Sequence, residues 1–393
     1  FKHYPEGVPH HLDYPEVPLY QFLDDSAEKY PDKTALVFYG TEISYKELKE
    51  LSDKFASALQ NLGIQKGDRV AFLLPNCPQF VIGFWGTMKA GAIPVPLNPL
   101  STGEELKYLF KDAEPKVILI LDIFYEKTKQ GAEVTPQIEK IIVTNIADYF
   151  PPVKRVIGKT LKKIKSFKCE GALNFRELLK NSFLFYNKVD INIQKDLAVI
   201  IYTGGTTGEP KGVMLSQCNF QTTACNIDKW LHVITPKSSL VVLPFFHIYG
   251  ISVALIFGAL RASALIMLPK FHPEESIKTI RKYNVNYFLG VPAIYFAFWE
   301  YFQMKESEKY LDSLNVCSSG TTSISHYLWK KIEKFAPKAI LLEAYGLSET
   351  CPVITLDSPV RSYIKKIGSV GVPIPDTGVR IVDNEGKKIS VGQ

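Results

Sequence analysis

Short apolar segments that alternate with helix-forming segments constrain the fold of this chain more than any other feature. In the first part of the chain, Ser44 and Glu47 have the spacing of a helix capping box, and Pro78–Ala90 predicts a second helix. Buried strands joined by helices predict a parallel sheet with right-handed crossovers. The predicted strands of this sheet are Ala35–Tyr39, Val70–Leu74 and Ile93–Leu97.

The same alternation resumes after residue 195, where Leu197–Tyr202 has the apolar character of a central parallel strand. The sequence pattern of the tail is different. Val379–Val382 and Lys388–Val391 flank a turn and predict a hairpin. We therefore predict an α/β fold with two α/β sheet subdomains packed in layers, at 1–195 and 196–345, and a smaller β-rich subdomain that starts at 346–393. The further predicted strands are Val241–Leu243, Ala264–Leu268, Tyr287–Leu289, Leu314–Cys317 and Ile340–Leu342.

Composition excludes several classes of protein. An apolar fraction of 46% is too high for disorder, and a net charge of +6 over 393 residues does not favour a nucleic-acid partner. Six scattered cysteines predict reduced thiols and a cytoplasmic location, and no signal peptide is visible. Leu240–Leu260 is long enough to cross a bilayer, but Pro244, His247 and Gly250 interrupt it, so we predict that it does not span a membrane.

A basic surface insertion is predicted near residues 150–170. Val153–Lys168 carries seven basic residues and no acidic one, and its apolar residues would share one face of a helix. Two interpretations stay open: a solvated helix that docks on the protein, or an interfacial helix attracted to anionic lipid at the inner membrane face. Nucleic-acid binding is less favoured because aromatic residues are not interleaved with the charges.

The strongest local signal is the segment 202–212, YTGGTTGEPKG, which combines glycines, hydroxyls and a lysine after a buried strand. Glycine lets backbone N–H groups approach an anion, hydroxyls donate hydrogen bonds, and Lys211 adds charge. Pro210 stands where a Walker A loop has glycine, so the segment is a different phosphate loop. Because Val213–Leu215 predicts another strand, we expect this loop to join the two strands of a hairpin.

Two further clusters follow predicted strands. Residues 244–250, PFFHIYG, follow Val241–Leu243, and residues 345–350, YGLSET, follow Ile340–Leu342. The carboxyl ends of parallel strands are where α/β sheets place ligands. An aromatic ring, a carboxylate and hydroxyls at one such edge suit base stacking, magnesium ligation and phosphate contact.

These three motifs, in this order, resemble those of the adenylate-forming superfamily, which includes acyl-CoA synthetases, luciferases and peptide-synthetase adenylation domains. The loop 318–322 resembles that family's adenine-contacting loop, and Gly368–Gly371 resembles a motif close to it. Ile146–Pro152 and the basic stretch after it look like the long-chain fatty acyl-CoA branch. The resemblance implies two steps: a carboxylate attacks the α-phosphorus of ATP to give an acyl-adenylate, and coenzyme A then displaces AMP. The β-rich subdomain is implied to be a distorted barrel.

The resemblance also implies roles for individual residues. The implied catalytic residues are Lys211, His247, Glu349 and Thr350. Those implied to bind nucleotide are Thr203, Gly204, Gly205, Thr206, Thr207, Gly208, Lys211, Ser318, Ser319, Gly320, Thr321, Tyr345, Gly346 and Thr350. The acyl substrate would contact His247, Tyr249, Gly250, Ile251, Gly290 and Val291, and Mg²⁺ would contact Thr203 and Glu349. Some long-chain members have a gating tryptophan where Ile251 stands here.

The family's ribose-binding aspartate, hinge and mobile C-terminal domain with its catalytic lysine would follow Gln393. The sequence shown is therefore expected to correspond to the large N-terminal domain, impaired by itself in the thioester step. The alternatives are an aryl-CoA ligase, a peptide-synthetase-type adenylation domain, or a nucleotide- or lipid-binding module without turnover. The sequence leaves chain length, the thiol acceptor and the oligomeric state open, with a homodimer as one option.

Overall fold

The computed structural model describes residues 4–160, 165–204, 208–234, 236–305, 310–360 and 366–390, with only the backbone for 157–160. The helices are α1 (Gln21–Lys29), α2 (Tyr45–Asn61), α3 (Pro78–Lys89), α4 (Gly103–Ala113), α5 (Tyr125–Ala132), α6 (Pro152–Thr160), α7 (Phe175–Asn181), α8 (Gln217–Trp230), α9 (Phe257–Leu260), α10 (Pro273–Lys282), α11 (Pro292–Met304) and α12 (His326–Phe335). The strands are β1 (Thr34–Phe38), β2 (Thr41–Ser44), β3 (Arg69–Leu73), β4 (Ile93–Pro96), β5 (Val117–Leu121), β6 (Lys140–Thr144), β7 (Leu173–Asn174), β8 (Leu197–Thr203), β9 (Lys211–Ser216), β10 (Ser238–Val241), β11 (Ala264–Met267), β12 (Tyr287–Gly290), β13 (Val316–Ser319), β14 (Ile340–Tyr345), β15 (Thr355–Leu356) and β16 (Val372–Pro373).

The predicted α/β fold is confirmed, and the described strands form two large sheets. One sheet has nine strands in the order β16-β15-β14-β13-β12-β10-β11-β1-β2, and its central strands from β14 to β1 run parallel. The other sheet has five parallel strands in the order β4-β3-β5-β6-β7. Strands β8 and β9 form a separate antiparallel pair.

Alternate residues of β3 enter two different hydrophobic clusters, as the twofold repeat of a strand requires. Val70 and Phe72 face the large core that contains α2 and α3, whereas Ala71 and Leu73 face a smaller cluster with α4. Both faces of the five-stranded sheet are therefore covered. The predicted capping box is confirmed, because Ser44 Oγ accepts a hydrogen bond from the N–H of Glu47 and the Glu47 carboxylate accepts one from the N–H of Ser44.

The first predicted strand lies in the other sheet from the one expected. Strand β1 pairs with β11 in parallel and with β2 antiparallel, so it does not join β3 and β4. A tight turn at Tyr39 and Gly40, which have φ of 52° and 104°, folds the chain directly back into β2. Strand β2 therefore takes one edge of β1 and β11 takes the other, so neither edge is left for β3 or β4. Sheet membership thus does not follow the boundary drawn at residue 195, and the division into domains stays a prediction.

Another expectation is wrong in detail. Strand β8 pairs antiparallel with β9 and is not a central parallel strand; its apolar residues Ala198, Val199 and Ile201 are instead buried by packing. In the tail, the predicted hairpin is short: Val382 and Lys388 form an antiparallel bridge, the N–H of Ile389 donates to the carbonyl of Ile381, and Val391 lies outside the described residues. Short strands β15 and β16 extend the nine-stranded sheet, and the described residues form no closed barrel.

The segment Leu240–Leu260 is not a membrane span. It contains the end of β10, a loop, a π-helix at Gly250–Ile256 and the short helix α9. Among the described residues, no helix combines the length and the apolar character that crossing a bilayer requires.

Candidate active site

A cleft of about 340 Å³ lies at the carboxyl edge of the parallel strands. Segments that follow β8, β10, β13 and β14 converge there, as expected for ligand sites in α/β sheets. The residues that line the cleft are Thr203, Gly204, His247, Ile248, Tyr249, Gly320, Thr321, Ala344, Tyr345, Gly346, Leu347, Ser348, Glu349, Pro352 and Val353. The three sequence motifs therefore meet in one place.

The segment after β14 supplies the ring and the carboxylate of this cleft. Tyr345 is 48% exposed at the strand end, and Glu349 lies in a short 3₁₀ helix, Ser348–Thr350. A glycine is required at Gly346, because a Cβ there would lie 1.4 Å from the carbonyl oxygen of Pro352. This tight return brings Pro352 and Val353 into the cleft wall.

Thr350 is in the predicted motif but does not line the cleft. Its hydroxyl accepts a hydrogen bond from the N–H of Leu347 at 2.9 Å and is also 2.9 Å from the carbonyl oxygen of Leu347, to which it donates. In this structure, Thr350 closes the turn that carries Glu349. Its contact with the α-phosphate stays a prediction.

The loop that carries His247 is fixed from the five-stranded sheet. Asn76, which is buried just beyond β3, accepts a hydrogen bond from the N–H of Phe245 at 2.9 Å and donates to the carbonyl of Leu243 at 3.0 Å. After this loop the chain enters the buried π-helix Gly250–Ile256, a conformation that often occurs at functional sites. Asn76 thus couples the two sheets next to the cleft.

The environment of His247 favours a neutral imidazole. Its ring is open to solvent at the cleft, yet the surrounding protein desolvates it enough to lower its pKa below the usual 6.5. The N–H of Tyr249 lies 3.3 Å from His247 Nδ1, which accepts a hydrogen bond in that arrangement. The neutral ring then carries its proton on Nε2 and is available as a hydrogen-bond donor.

The phosphate loop joins the two strands of a hairpin, as predicted. Thr203 pairs with Lys211 across β8 and β9, and Thr203 and Gly204 line the cleft. Gly208 is exposed with a φ of 109°. The predicted site residues Gly205, Thr206 and Thr207 lie outside the described residues. Lys211 is exposed and lines a separate depression between the hairpin and α4.

The predicted acyl-binding residues divide into two groups. His247 and Tyr249 line the cleft, whereas Gly290 and Val291 do not, and Gly250 and Ile251 are buried in the π-helix behind it. Two residues of the predicted adenine-contacting loop, Gly320 and Thr321, also line the cleft. Ser318 and Ser319 of the same loop are buried beneath them.

A hydrogen bond of 2.7 Å joins the buried Tyr249 hydroxyl to Ser318 Oγ, so the two loops are tied together at the inner end of the cleft. Tyr295 donates a hydrogen bond to the carbonyl of the same serine at 2.7 Å. Gly290 is packed so closely on the Tyr295 ring that a Cβ there would lie 2.7 Å from it. The inner end of the cleft is therefore a well-packed wall.

The donor set of the cleft fits a magnesium ion that is held together with phosphates. Such an ion commonly takes one or two carboxylates or hydroxyls and completes its shell with phosphate oxygens and water. Thr203 and Glu349 line the same cleft and provide these groups. Among the described residues, no three His, Cys, Asp or Glu side chains come together in a group that could hold a metal ion. These residues therefore supply only part of the coordination shell of a magnesium ion.

Sequence reasoning missed several residues of the site. Asn76 follows a strand of the other sheet, and only the tertiary structure brings it to Phe245. Pro352 and Val353 enter through the Gly346 turn. The remaining cleft residues lie inside or beside the motifs, and that position is the one sequence feature that could have identified them. They are Ile248, Ala344, Leu347 and Ser348.

Comparison with known proteins decides the family. Residues 23–393 match the family described as AMP-binding enzyme. The chain belongs to the AMP-binding enzyme family. It is 35% identical over 394 residues to a long-chain-fatty-acid–CoA ligase of Bacillus subtilis (strain 168), covering 97% of this chain and 68% of that protein. The predicted membership of the adenylate-forming superfamily is confirmed.

Solved structures show the same fold. The crystal structure of a long-chain-fatty-acid-CoA ligase from Archaeoglobus fulgidus superposes with a TM-score of 0.85 at 24% identity, covering 99% of this chain and 76% of that chain. The structure of ATP-bound MatB from Rhodopseudomonas palustris superposes with a TM-score of 0.79 at 24% identity, covering 96% of this chain and 68% of that chain.

Proposed function

We propose that this protein is an AMP-forming acid–thiol ligase that activates a fatty acid with ATP and transfers the acyl group to coenzyme A. The observation that carries the proposal is the convergence of Thr203, His247, Tyr345 and Glu349 on one cleft. Membership of the AMP-binding enzyme family and a relative named long-chain-fatty-acid–CoA ligase support the same conclusion.

The proposed reaction has two steps. A carboxylate oxygen forms a bond to the α-phosphorus of ATP while the bond to the bridging oxygen breaks, so pyrophosphate leaves and an acyl-adenylate remains. The sulfur of coenzyme A then attacks the acyl carbon, the thiol loses its proton, and AMP leaves with the electrons of the broken C–O bond. Because both reactants of the first step are anions, the site must hold them together with positioned donors.

Individual residues are proposed to share this work. Tyr345 stacks on the adenine, and Gly320 and Thr321 pass beside the base. Neutral His247 donates its Nε2 proton to the carboxylate or to the acyl-adenylate carbonyl, a role that its lowered pKa supports. Thr203 and Glu349 would hold Mg²⁺, which supplies positive charge to the phosphates when it is bound.

Lys211 and the phosphate loop are proposed to hold the β and γ phosphates. Thr203 and Gly204 already border the cleft, which supports this role for the start of the loop. Lys211 lines the depression between the hairpin and α4 and not the cleft, so its contribution requires that its long side chain turns toward the cleft. Thr350 is proposed to contact the α-phosphate after the turn at Leu347 opens.

The acyl chain is proposed to lie beyond Tyr249, along Gly250, Ile251, Gly290 and Val291, after the packed wall formed by Tyr249 and Tyr295 moves aside. These residues offer no charged group, which favours an alkyl chain over a substrate with a polar anchor. An aryl-CoA ligase or a peptide-synthetase-type domain would need such an anchor, and a binding module without turnover would release no pyrophosphate.

We also propose a cytoplasmic enzyme with peripheral membrane contact. The helix α6 exposes Val153 and Val156, which are 69% and 63% accessible, beside Lys154 and Arg155. Exposed apolar and basic groups together support contact with an anionic lipid surface. Lys154 also donates a hydrogen bond of 2.8 Å to the carbonyl of Tyr39, so the helix is attached to the protein at the same time. The rest of the predicted basic face includes residues 161–164, which lie outside the described residues. A homodimer also stays a prediction, which sedimentation equilibrium would test.

A panel of carboxylic acids tested for pyrophosphate release by the full-length protein would decide the function. Saturated fatty acids should support release with ATP and Mg²⁺, and coenzyme A should convert the product to acyl-CoA. Preference for aryl acids would overturn the substrate class, and no release with any acid would favour the binding module.

A further inference from the structure

Helix α4 contacts the phosphate hairpin on both sides of its loop. Its buried residues Leu106 and Phe110 pack on the smaller hydrophobic cluster. Tyr108 and Asp112 are four residues apart and share another face of the helix. They extend toward the stem of the hairpin.

The two contacts flank the loop at corresponding places. The Tyr202 hydroxyl, one residue before Thr203, donates a hydrogen bond of 2.5 Å to Asp112 Oδ2. The Tyr108 hydroxyl donates one of 3.0 Å to the carbonyl oxygen of Pro210, one residue before Lys211. Thr203 and Lys211 are the last pair of the stem. Both ends of the loop are thus held by one rigid helix.

This attachment matters because the hairpin pairs with no other strand among the described residues. Backbone hydrogen bonds therefore do not fix its position relative to the two large sheets. Packing of Ala198, Val199 and Ile201 fixes the base of β8, but Tyr202, Thr203 and Gly204 are only partly buried or exposed. Side-chain contacts must set the end of the stem.

We propose that Tyr108 and Asp112 are positioning residues that hold the phosphate loop in place for ATP. This inference rests on the proposed function, since it assigns the loop to the nucleotide phosphates. Neither side chain lines the cleft, so each acts through the hairpin and touches no reacting atom. A hairpin stem that is already held in place loses less conformational freedom when ATP binds.

The test uses four variants of the full-length protein: Tyr108→Phe, Asp112→Ala, the conservative Asp112→Asn, and Lys111→Ala as a control on the same helix. Lys111 is exposed and lies outside the cleft and the hairpin depression. Loss of one hydrogen bond should raise the KM for ATP about threefold to tenfold in the first two variants. The KM for the fatty acid should change less than about twofold, and Asp112→Asn, which keeps an acceptor oxygen, should recover most of the effect.

Amide hydrogen exchange of residues 203–212 provides a second measurement that needs no turnover. Exchange should accelerate about threefold or more in Tyr108→Phe and Asp112→Ala and should not change in Lys111→Ala. Faster exchange in a protein that proves inactive would support the positioning role and reject the proposed function. Unchanged exchange, or a parallel rise of both KM values with a lower melting temperature, would overturn the positioning role.

Discussion

At the scale of single residues, His247 is a neutral hydrogen-bond donor at a cleft that has to accept anions. Desolvation by the surrounding protein disfavours the imidazolium, so its pKa is lowered. The N–H of Tyr249, which donates to Nδ1, favours the same protonation state. Activity should therefore depend on pH through this residue in a defined direction.

With a water-soluble fatty acid, titration of His247 should not change the rate of acyl-adenylate formation between pH 7 and pH 8. It should fall below about pH 6.5, since protonation removes the Nδ1 acceptor and disrupts the loop. Pyrophosphate release measured from pH 5 to pH 8 tests this. The variant His247→Ala should form the acyl-adenylate more slowly, and its rate should no longer fall at acidic pH. If the fall at acidic pH is unchanged in this variant, another group causes it.

Glu349 is the one carboxylate among the cleft-lining residues. The substitution Glu349→Gln keeps the shape of the side chain but removes its negative charge. We expect Mg²⁺-dependent ATP affinity to fall about tenfold or more, because magnesium prefers charged oxygen ligands. Titration calorimetry with Mg²⁺ and with EDTA measures how far ATP affinity depends on the metal. The control is Glu300→Gln, which changes an exposed residue of α11. Equal loss of affinity with and without Mg²⁺ would contradict a metal ligand.

At the scale of elements, one buried cation joins three helices. Lys89 Nζ at the end of α3 lies 2.6 Å from a carboxylate oxygen of Asp24 in α1 and 2.6 Å from one of Asp53 in α2. The Lys89 side chain is fully buried. Burial raises the pKa of Asp24, although Lys89 opposes this shift. The cation therefore offsets the cost of burying the Asp24 carboxylate among packed helices.

Replacing Lys89 by methionine should lower the free energy of unfolding by about 3–5 kcal/mol, because it leaves uncompensated buried charge. Lys49→Met is the control: Lys49 also pairs with Asp53 at 2.6 Å but is 38% exposed, so the loss should stay near or below about 1 kcal/mol. Urea denaturation measures both. The Lys89→Met defect should shrink as the pH falls, since protonation of the Asp24 carboxyl, whose pKa is raised, stabilises the folded state relative to the unfolded one. Equal effects of the two variants would refute this interpretation.

At the scale of the whole molecule, exposed apolar side chains occur on more than one element. Besides α6, the segment after α7 exposes Phe183 and Phe185, which are 75% and 77% accessible. Exposed large side chains in a short segment are unusual for a water-facing surface and mark interaction sites. They are consistent with the proposed contact with lipid.

Anionic vesicles should bind the protein at low salt and release it as salt rises, because the Debye length shrinks from about 10 Å at 0.1 M to about 3 Å at 1 M. Co-sedimentation tests this directly. Lys154→Glu with Arg155→Glu should weaken binding severalfold, whereas Lys387→Glu with Lys388→Glu in the exposed tail turn serves as a charge-matched control. Binding that is absent at low salt, or equal in both double variants, would rule out this surface.

The local order of the chain could be predicted from the sequence because it depends on neighbouring residues. The capping box at Ser44, the strand cores and the hairpin at 203–211 all follow from contacts within a few positions, and so do the three motifs. The family and the residue types at the cleft could also be predicted. These features depend on spacing that a single segment contains.

The tertiary structure decided what depends on distant partners. Strand β1 joined β11 rather than β3, and its continuous apolar run fits a buried strand of either sheet, so the sequence could not distinguish the two pairings. Asn76 came to the His247 loop, and Tyr108 of α4 to the phosphate hairpin, from more than 100 positions away. Lys211 and Thr350 carry the expected chemistry but lie outside the cleft wall, since the direction of a side chain depends on the packed backbone around it.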